Sequence, residues 1–132
     1  MPGDLAGHSI LAMTTFGQNS WTFAPATPDG APRHVAFTPR LVVNSIEAAI
    51  ASAVAGHGLT MGFSYHAAEQ VRDGRLAIVL ADAEPPPRPM HLITPEGRLS
   101  VPKVRAFVDF AAPRLKAAFA SLSCNPDRQR RI

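Results

Sequence analysis

The chain has 132 residues, 46% of them hydrophobic, which suits one domain with a real core and is too apolar for a disordered segment. The net charge of +3 is uneven: Arg128, Arg130 and Arg131 against Asp127 put +2 into the tail and leave +1 over residues 1–123, so the foldable part lacks the basic footprint of a nucleic-acid binder. No apolar run reaches the ~18 residues of a membrane span. Met1-Pro2-Gly3-Asp4 does not open a signal peptide, and the single cysteine, Cys124, excludes an internal disulfide.

In chain order, the loop after the first strand carries Thr14, Thr15, Phe16 and Gly17. Pro25, Pro28 and Pro32 surround Asp29-Gly30, a turn signal between two apolar runs, so Trp21–Ala24 and Val35–Phe37 are expected to pair as a hairpin with a lengthened loop. Arg40-Leu41-Val42-Val43 reads as a strand, and Asn44-Ser45 as the cap of a helix whose apolar stripe is Ile46, Ala49, Ile50, Ala53 and Val54. Glu47 suits the positive end of that helix, and Gly56 and Gly58 stop it. Leu59–Phe63 reads as the next strand, completing a strand–helix–strand unit.

The alternation continues. Ser64 is expected to cap a short helix bearing Ala67, Ala68 and Val71 and closed by Gly74, and Leu76–Leu80 has the near-continuous apolar run of a buried parallel strand. Pro85-Pro86-Pro87-Arg88-Pro89 is a stiff, extended connector. Met90–Thr94 reads as another strand. Ser100-Val101-Pro102 opens a last helix with an apolar face of Val104, Phe107, Val108, Ala111, Leu115, Ala118 and Phe119. Pro113 lies inside that helix and is expected to kink it or weaken it, at a cost of up to ~3 kcal/mol.

These elements predict an α/β fold with a mainly parallel sheet flanked by helices. Ligands of such sheets bind at the C-terminal strand ends. That rule brings forward three loops, Thr14–Gly17, Asn44–Ile46 and Phe63–Tyr65. Asn44 and Ser45 serve either as contacts for a carboxylate or as plain helix caps. Thr14, Thr15 and Phe16 suit an organic acid, and equally a structural turn. The expected ligand-binding set is Thr14, Thr15, Phe16, Gly17, Asn44, Ser45, Ile46, Phe63 and Ser64. His8, His34, His57, His66 and His91 share no metal-ligand spacing, no Gly-x-Ser-x-Gly elbow is present, and Gly56-His57-Gly58 ends a helix where a dinucleotide loop would open one. No cofactor, metal or catalytic residue is expected.

Several stretches together resemble one family. Asp4-Leu5-Ala6-Gly7-His8-Ser9-Ile10-Leu11, followed by Trp21-Thr22-Phe23, is similar to the start of the second subdomain of LysR-type effector-binding domains. Leu41-Val42-Val43-Asn44-Ser45, Glu47-Ala48-Ala49 and Ala55-Gly56-His57-Gly58-Leu59 resemble that family's central helix segment. Gly74-Arg75-Leu76, Pro85-Pro86-Pro87, Met90-His91-Leu92 and Pro102-Lys103-Val104-Arg105-Ala106-Phe107-Val108-Asp109-Phe110 extend the likeness, which covers roughly residues 2–119. Each piece is weak alone; their order and spacing make the match specific.

The resemblance implies a periplasmic-binding-protein-like (type 2) fold with two α/β subdomains and a cleft between them. It implies the regulatory domain of a cytoplasmic bacterial transcription regulator, not an enzyme, that forms homo-oligomers and senses a small organic effector such as a carboxylate or aromatic acid. DNA in this family is held by an N-terminal winged helix-turn-helix, which this sequence lacks together with the first part of subdomain one. The expected layout is a partial effector-binding domain over residues 1–123, with subdomain two at 1–84 and the closing strand and helix of subdomain one at 88–120, then a basic disordered tail at 124–132. An incomplete partner layer would expose Val104, Phe107, Val108 and Leu115, each worth roughly 1.5–3 kcal/mol when buried. Pairing with a second copy, folding back, or a complementing partner is therefore expected. The competing reading is a truncated, dimerising interaction fragment without retained sensing. A nucleic-acid role for the arginine tail and a small hydrolase rank behind it.

Overall fold

A computed structural model describes residues 1–95 and 101–122. The expectations placed on Ser100, Cys124 and the arginine tail lie outside these residues. The chain divides into two units, residues 1–86 and 87–132.

The first unit is built on a three-stranded parallel sheet. Strands β1 (Ile10–Met13), β2 (Ser20–Phe23), β3 (Arg33–Ala36), β4 (Leu41–Val43) and β5 (Leu59–Thr60) follow in chain order, with helices α1 (Ile46–Val54) and α2 (Ser64–Arg72) after β4 and β5. The sheet order is β4-β1-β5, so β1 is central and α1 carries the chain across it from one edge to the other. Leu11 pairs with Leu41 and Met13 with Val43 on one side; Ile10 pairs with Leu59 and Leu11 with Thr60 on the other. All four residues of β1 are buried, as a strand covered on both faces requires.

The two faces follow from the strand's alternation. Ile10 and Ala12 join Leu5, Trp21, Phe23, Phe37 and Ala83 in the core, with Val35, Leu59, Met61 and Leu80 packed against it. This side is covered by the predicted hairpin: β2 and β3 pair antiparallel from Ser20–Ala36 to Phe23–Arg33, and Trp21 meets Phe37 edge-on at 4.7 Å. Leu11 and Met13 turn to the opposite face, where α1 presents the buried Ala49 and Ile50. Burying Ile10 and Leu11 completely contributes roughly 1.5–3 kcal/mol each.

Both ends of α1 match the local signals. Ser45 is the N-cap, its Oγ accepting from the Ala48 amide at 3.3 Å. Gly56, at φ +79°, turns the chain out of the helix while its amide donates to Ala53 O and that of His57 donates to Ser52 O. Gly74 closes α2 in the same way, with Gly74 N donating to Val71 O and Arg75 N to Gln70 O.

Three expectations are corrected in this unit. The strand after α1 stops at Thr60 and does not reach Phe63. The N-cap of α2 is Phe63 and not Ser64, which is the first helical residue, because His66 Nδ1 reaches back and accepts from the Phe63 amide at 3.3 Å. Leu76–Leu80 joins neither sheet. Its burial alternates, with Leu76, Ile78 and Leu80 half-buried and Val79 55% exposed, so the apolar run lies on one surface and is not enclosed by two. The run ends where Leu80 takes left-handed backbone angles (φ 60°, ψ 31°) and enters the short 3-10 turn Ala81–Ala83. That turn ties back to the hairpin through Ala24 N donating to Ala83 O.

In the second unit, Met90–Thr94 forms no strand, and Met90, Leu92 and Ile93 are exposed at 58%, 45% and 90%. A strand requires a neighbour's edge, and the described residues of this unit contain no sheet. The last helix, α3 (Pro102–Leu122), runs on through Pro113. Arg114 Nη1 donates to Phe110 O at 2.8 Å, beside the Asp109 carbonyl that the proline nitrogen cannot serve, and its guanidinium lies 3.6 Å over the Phe110 ring. The predicted apolar face divides: Val104, Val108, Ala111 and Phe119 are half-buried, whereas Phe107 and Leu115 are exposed, as is Phe110.

Candidate functional site

The three loops singled out in the sequence leave the same edge of the parallel sheet. Strand β1 ends at Met13, and the next amide, Thr14 N, donates to Val43 O at the end of β4, which joins the first loop to the second. The first loop is a tight turn closed by Phe16 N donating to Met13 O. Gly17 is required there: its φ is +100°, and a Cβ would lie 2.6 Å from Ser20 O. The turn exposes Thr14 and Thr15 and leaves Phe16 half-buried.

Phe16 then reaches the third loop, meeting Phe63 edge-on at 5.0 Å between ring centroids. Phe63 stacks with Tyr65 at 5.5 Å and an interplanar angle of 14°, and His66 contacts both rings, at 5.7 Å from Phe63 and 4.2 Å from Tyr65. The second loop touches the third through Ile46, whose Cδ1 would stand 3.2 Å from a Cβ on Gly62. Phe16, Ile46 and Phe63 are therefore drawn into one apolar and aromatic patch, with Asn44 and Ser64 exposed at its rim.

Ser45 is committed locally. Its Oγ accepts from Ala48 N and donates its single proton to Glu47 Oε2 at 2.6 Å. The Ser45 hydroxyl, then the glutamate's own backbone amide, hold the Glu47 carboxyl below its ordinary value; a weaker pull comes from His66. The carboxylate, on the first turn of α1, is thus ionised at neutral pH. None of the three loops contains lysine or arginine. His66 Nδ1 accepts the Phe63 amide at 3.3 Å, which fixes the ring at the start of α2.

Tyr65 and His66 join the ring cluster although they lie outside the expected ligand-binding set. The adjacent Phe63, Tyr65 and His66 were a usable signal: a loop entering a helix with three ring-bearing residues in four positions. Among the described residues no group of three or more His, Cys, Asp or Glu side chains is placed to hold a metal. A separate apolar depression, lined by Leu5, His8, Leu59, Val79 and Leu80, lies at the opposite ends of β1 and β5 and shares no residue with the three loops.

A family model described as the LysR substrate binding domain matches residues 2–116. The chain belongs to this family. LysR substrate-binding domains have the periplasmic-binding-protein-like type 2 fold, and the parallel sheet flanked by helices, with its small antiparallel sheet, accords with it. Such domains are parts of transcription regulators and not enzymes, bind small-molecule effectors and typically work in oligomers. Among curated proteins and solved structures, none matches the chain at a significant level. No helix among the described residues of this LysR-family domain is long and apolar enough to cross a membrane.

Proposed function

We propose that this LysR-family domain is a regulatory module that takes a small organic effector at the C-terminal edge of its parallel sheet. The observation that carries the reading is the convergence of the three loops there, with Phe16, Ile46 and Phe63 in one patch beside the hydroxyls of Thr14 and Thr15. Phe16 and Phe63 offer a wall for an apolar or ring-bearing ligand. Thr14 and Thr15, with Asn44 and Ser64 at the rim, offer hydrogen bonds to its polar groups, and Gly17, Ser45 and Ile46 hold the loops at the required spacing. Occupancy would then be read out as transcription control in a cytoplasmic regulator whose DNA contacts fall to a separate domain. Thermal-shift screening against a panel of small organic molecules tests this. Hits that vanish in Phe63→Ala are expected, and hits unaffected by that change would place the ligand elsewhere.

Self-association is a second element of the reading. Phe107, Phe110 and Leu115 on α3, together with Met90, Leu92 and Ile93, leave large apolar side chains in water within residues 87–122. A second copy of the chain is the proposed cover. Light scattering is expected to give at least a dimer, and a monomer at all concentrations would refute it.

A further inference from the structure

Strand β4 ends the parallel sheet with its outer edge open. The order β4-β1-β5 puts it at one side, and its burial differs from that of the other strands. All of β1 is buried and both residues of β5 are half-buried, whereas Leu41 and Val42 of β4 are each 42% exposed. Successive strand residues point to opposite faces, so β4 is bared on both faces at once, as an uncovered edge is. The hydrogen bonds orient that edge. Thr14 N donates to Val43 O, which turns Val43 toward β1. Backbone groups alternate in direction along a strand, so Val42 turns its amide and carbonyl to the open side. An open edge of apolar residues is a template for another strand.

Three features select a second copy of β4 as that strand. A two-fold centred on Val42 lets each Val42 amide donate to the carbonyl of the other, and sets Leu41 of each copy against Val43 of the other. The two ends of β4 carry opposite charges, Arg40 just before it and Glu47 just after it on the first turn of α1. Neither residue takes part in a salt bridge among the described residues. Antiparallel pairing brings the arginine end of each copy to the glutamate end of the other. Pro39, which has no amide to offer, and α1 from Ile46 onward confine the pairing to one strand's length, so it closes as a pair and does not extend into a fibre.

We infer that β4 is a contact strand between copies of this chain, two copies joining antiparallel about Val42 into one continuous six-stranded sheet. The contact lies within residues 1–86 and is separate from the cover proposed for α3.

The test is amide hydrogen exchange of the whole chain, followed by NMR over a series of protein concentrations, with sedimentation reporting the assembly. The Val42 amide is expected to exchange more slowly as concentration rises, in step with association. Val42→Lys sets two cations face to face on the two-fold and is expected to abolish the concentration-dependent protection of that amide, with an unchanged circular dichroism spectrum showing that the fold persists. Arg40→Glu is expected to weaken the association that protects Val42 roughly fivefold, the effect of surface charge contacts made twice. Combining it with Glu47→Lys is expected to restore the affinity. Phe107→Asp, which addresses the α3 cover, is expected to leave the Val42 protection in place. A Val42 amide that exchanges at one rate at all concentrations would overturn the inference, as would protection that survives Val42→Lys. A charge-exchanged pair no tighter than Arg40→Glu alone would overturn the antiparallel arrangement. Protection lost in Phe107→Asp would show that β4 is no contact in its own right.

Discussion

Replacing Gly58 by alanine sets a methyl group against the backbone that precedes the central strand. A Cβ at Gly58 would lie 2.1 Å from Ser9 O, 2.8 Å from Ser9 C and 3.0 Å from Ser9 Cβ, and the glycine's φ is +153°. Ser9 O also accepts the Leu59 amide at 2.8 Å, next to the Ile10–Leu59 pairing of β1 with β5. Relief therefore requires β5 to move off β1. Backbone strain of this sort costs about 1–3 kcal/mol, and losing a backbone hydrogen bond adds about 1 kcal/mol. The smaller entropy of the unfolded alanine chain offsets about 0.4–1 kcal/mol. The net loss is about 2–3 kcal/mol, a large part of the ~5–15 kcal/mol that holds a domain together. Gly56→Ala is the matched control: its φ is +79°, but nothing lies within 4 Å of the added Cβ, so only the left-handed penalty of roughly 1–2 kcal/mol remains. Urea unfolding followed by circular dichroism reads both variants against the natural chain. Gly58→Ala no less stable than Gly56→Ala would refute the claim that close approach of the Gly58 and Ser9 backbones sets the β1–β5 register.

The other predictions concern the loops. Ser45→Ala removes the α1 cap and is expected to lower stability by about 1 kcal/mol in the same unfolding assay. It should also release the Glu47 carboxyl toward its ordinary value, visible by NMR titration. Phe63→Ala breaks the ring contacts to Phe16, Tyr65 and His66 and, for a half-buried ring, is expected to cost about 2 kcal/mol, below the range for fully buried phenylalanines. A drop in melting temperature with a native-like circular dichroism spectrum checks it. For pH, Glu47 has a folded-state value below its unfolded one, so its stabilising contribution is present above the unfolded value and disappears as pH falls through the folded value. Asp4 is depressed by the N-terminal ammonium and acts with the same sign. Glu47→Gln should therefore flatten part of the acid limb of the stability curve and leave the share due to Asp4. Unfolding midpoints measured from neutral pH down through the carboxylate range decide this, and superimposable curves would count against it.

Elements whose signals are local were legible in the residues. Asp29-Gly30 between two apolar runs made the β2–β3 hairpin readable, because turn chemistry fixes which strands can meet across so short a connection. Ser45 and Gly56 marked the two ends of α1, since capping uses atoms within one turn of the cap. The parallel sheet and the edge on which the three loops lie followed from the alternation of strands and helices, and the family from the order of its short motifs. Tertiary structure decided what depends on partners far away in the chain. Leu76–Leu80 and Met90–Thr94 carry strand-like composition, but a strand exists only where a neighbour offers its edge, and no composition reveals that. Only the folded chain shows Phe16 meeting Phe63 across 47 positions of sequence, because loop contacts are set by the strands that carry them. The role of Ser45 divided along the same line. Its place at a helix start was readable from its neighbours, whereas the destination of its hydroxyl proton, Glu47, depended on side-chain geometry.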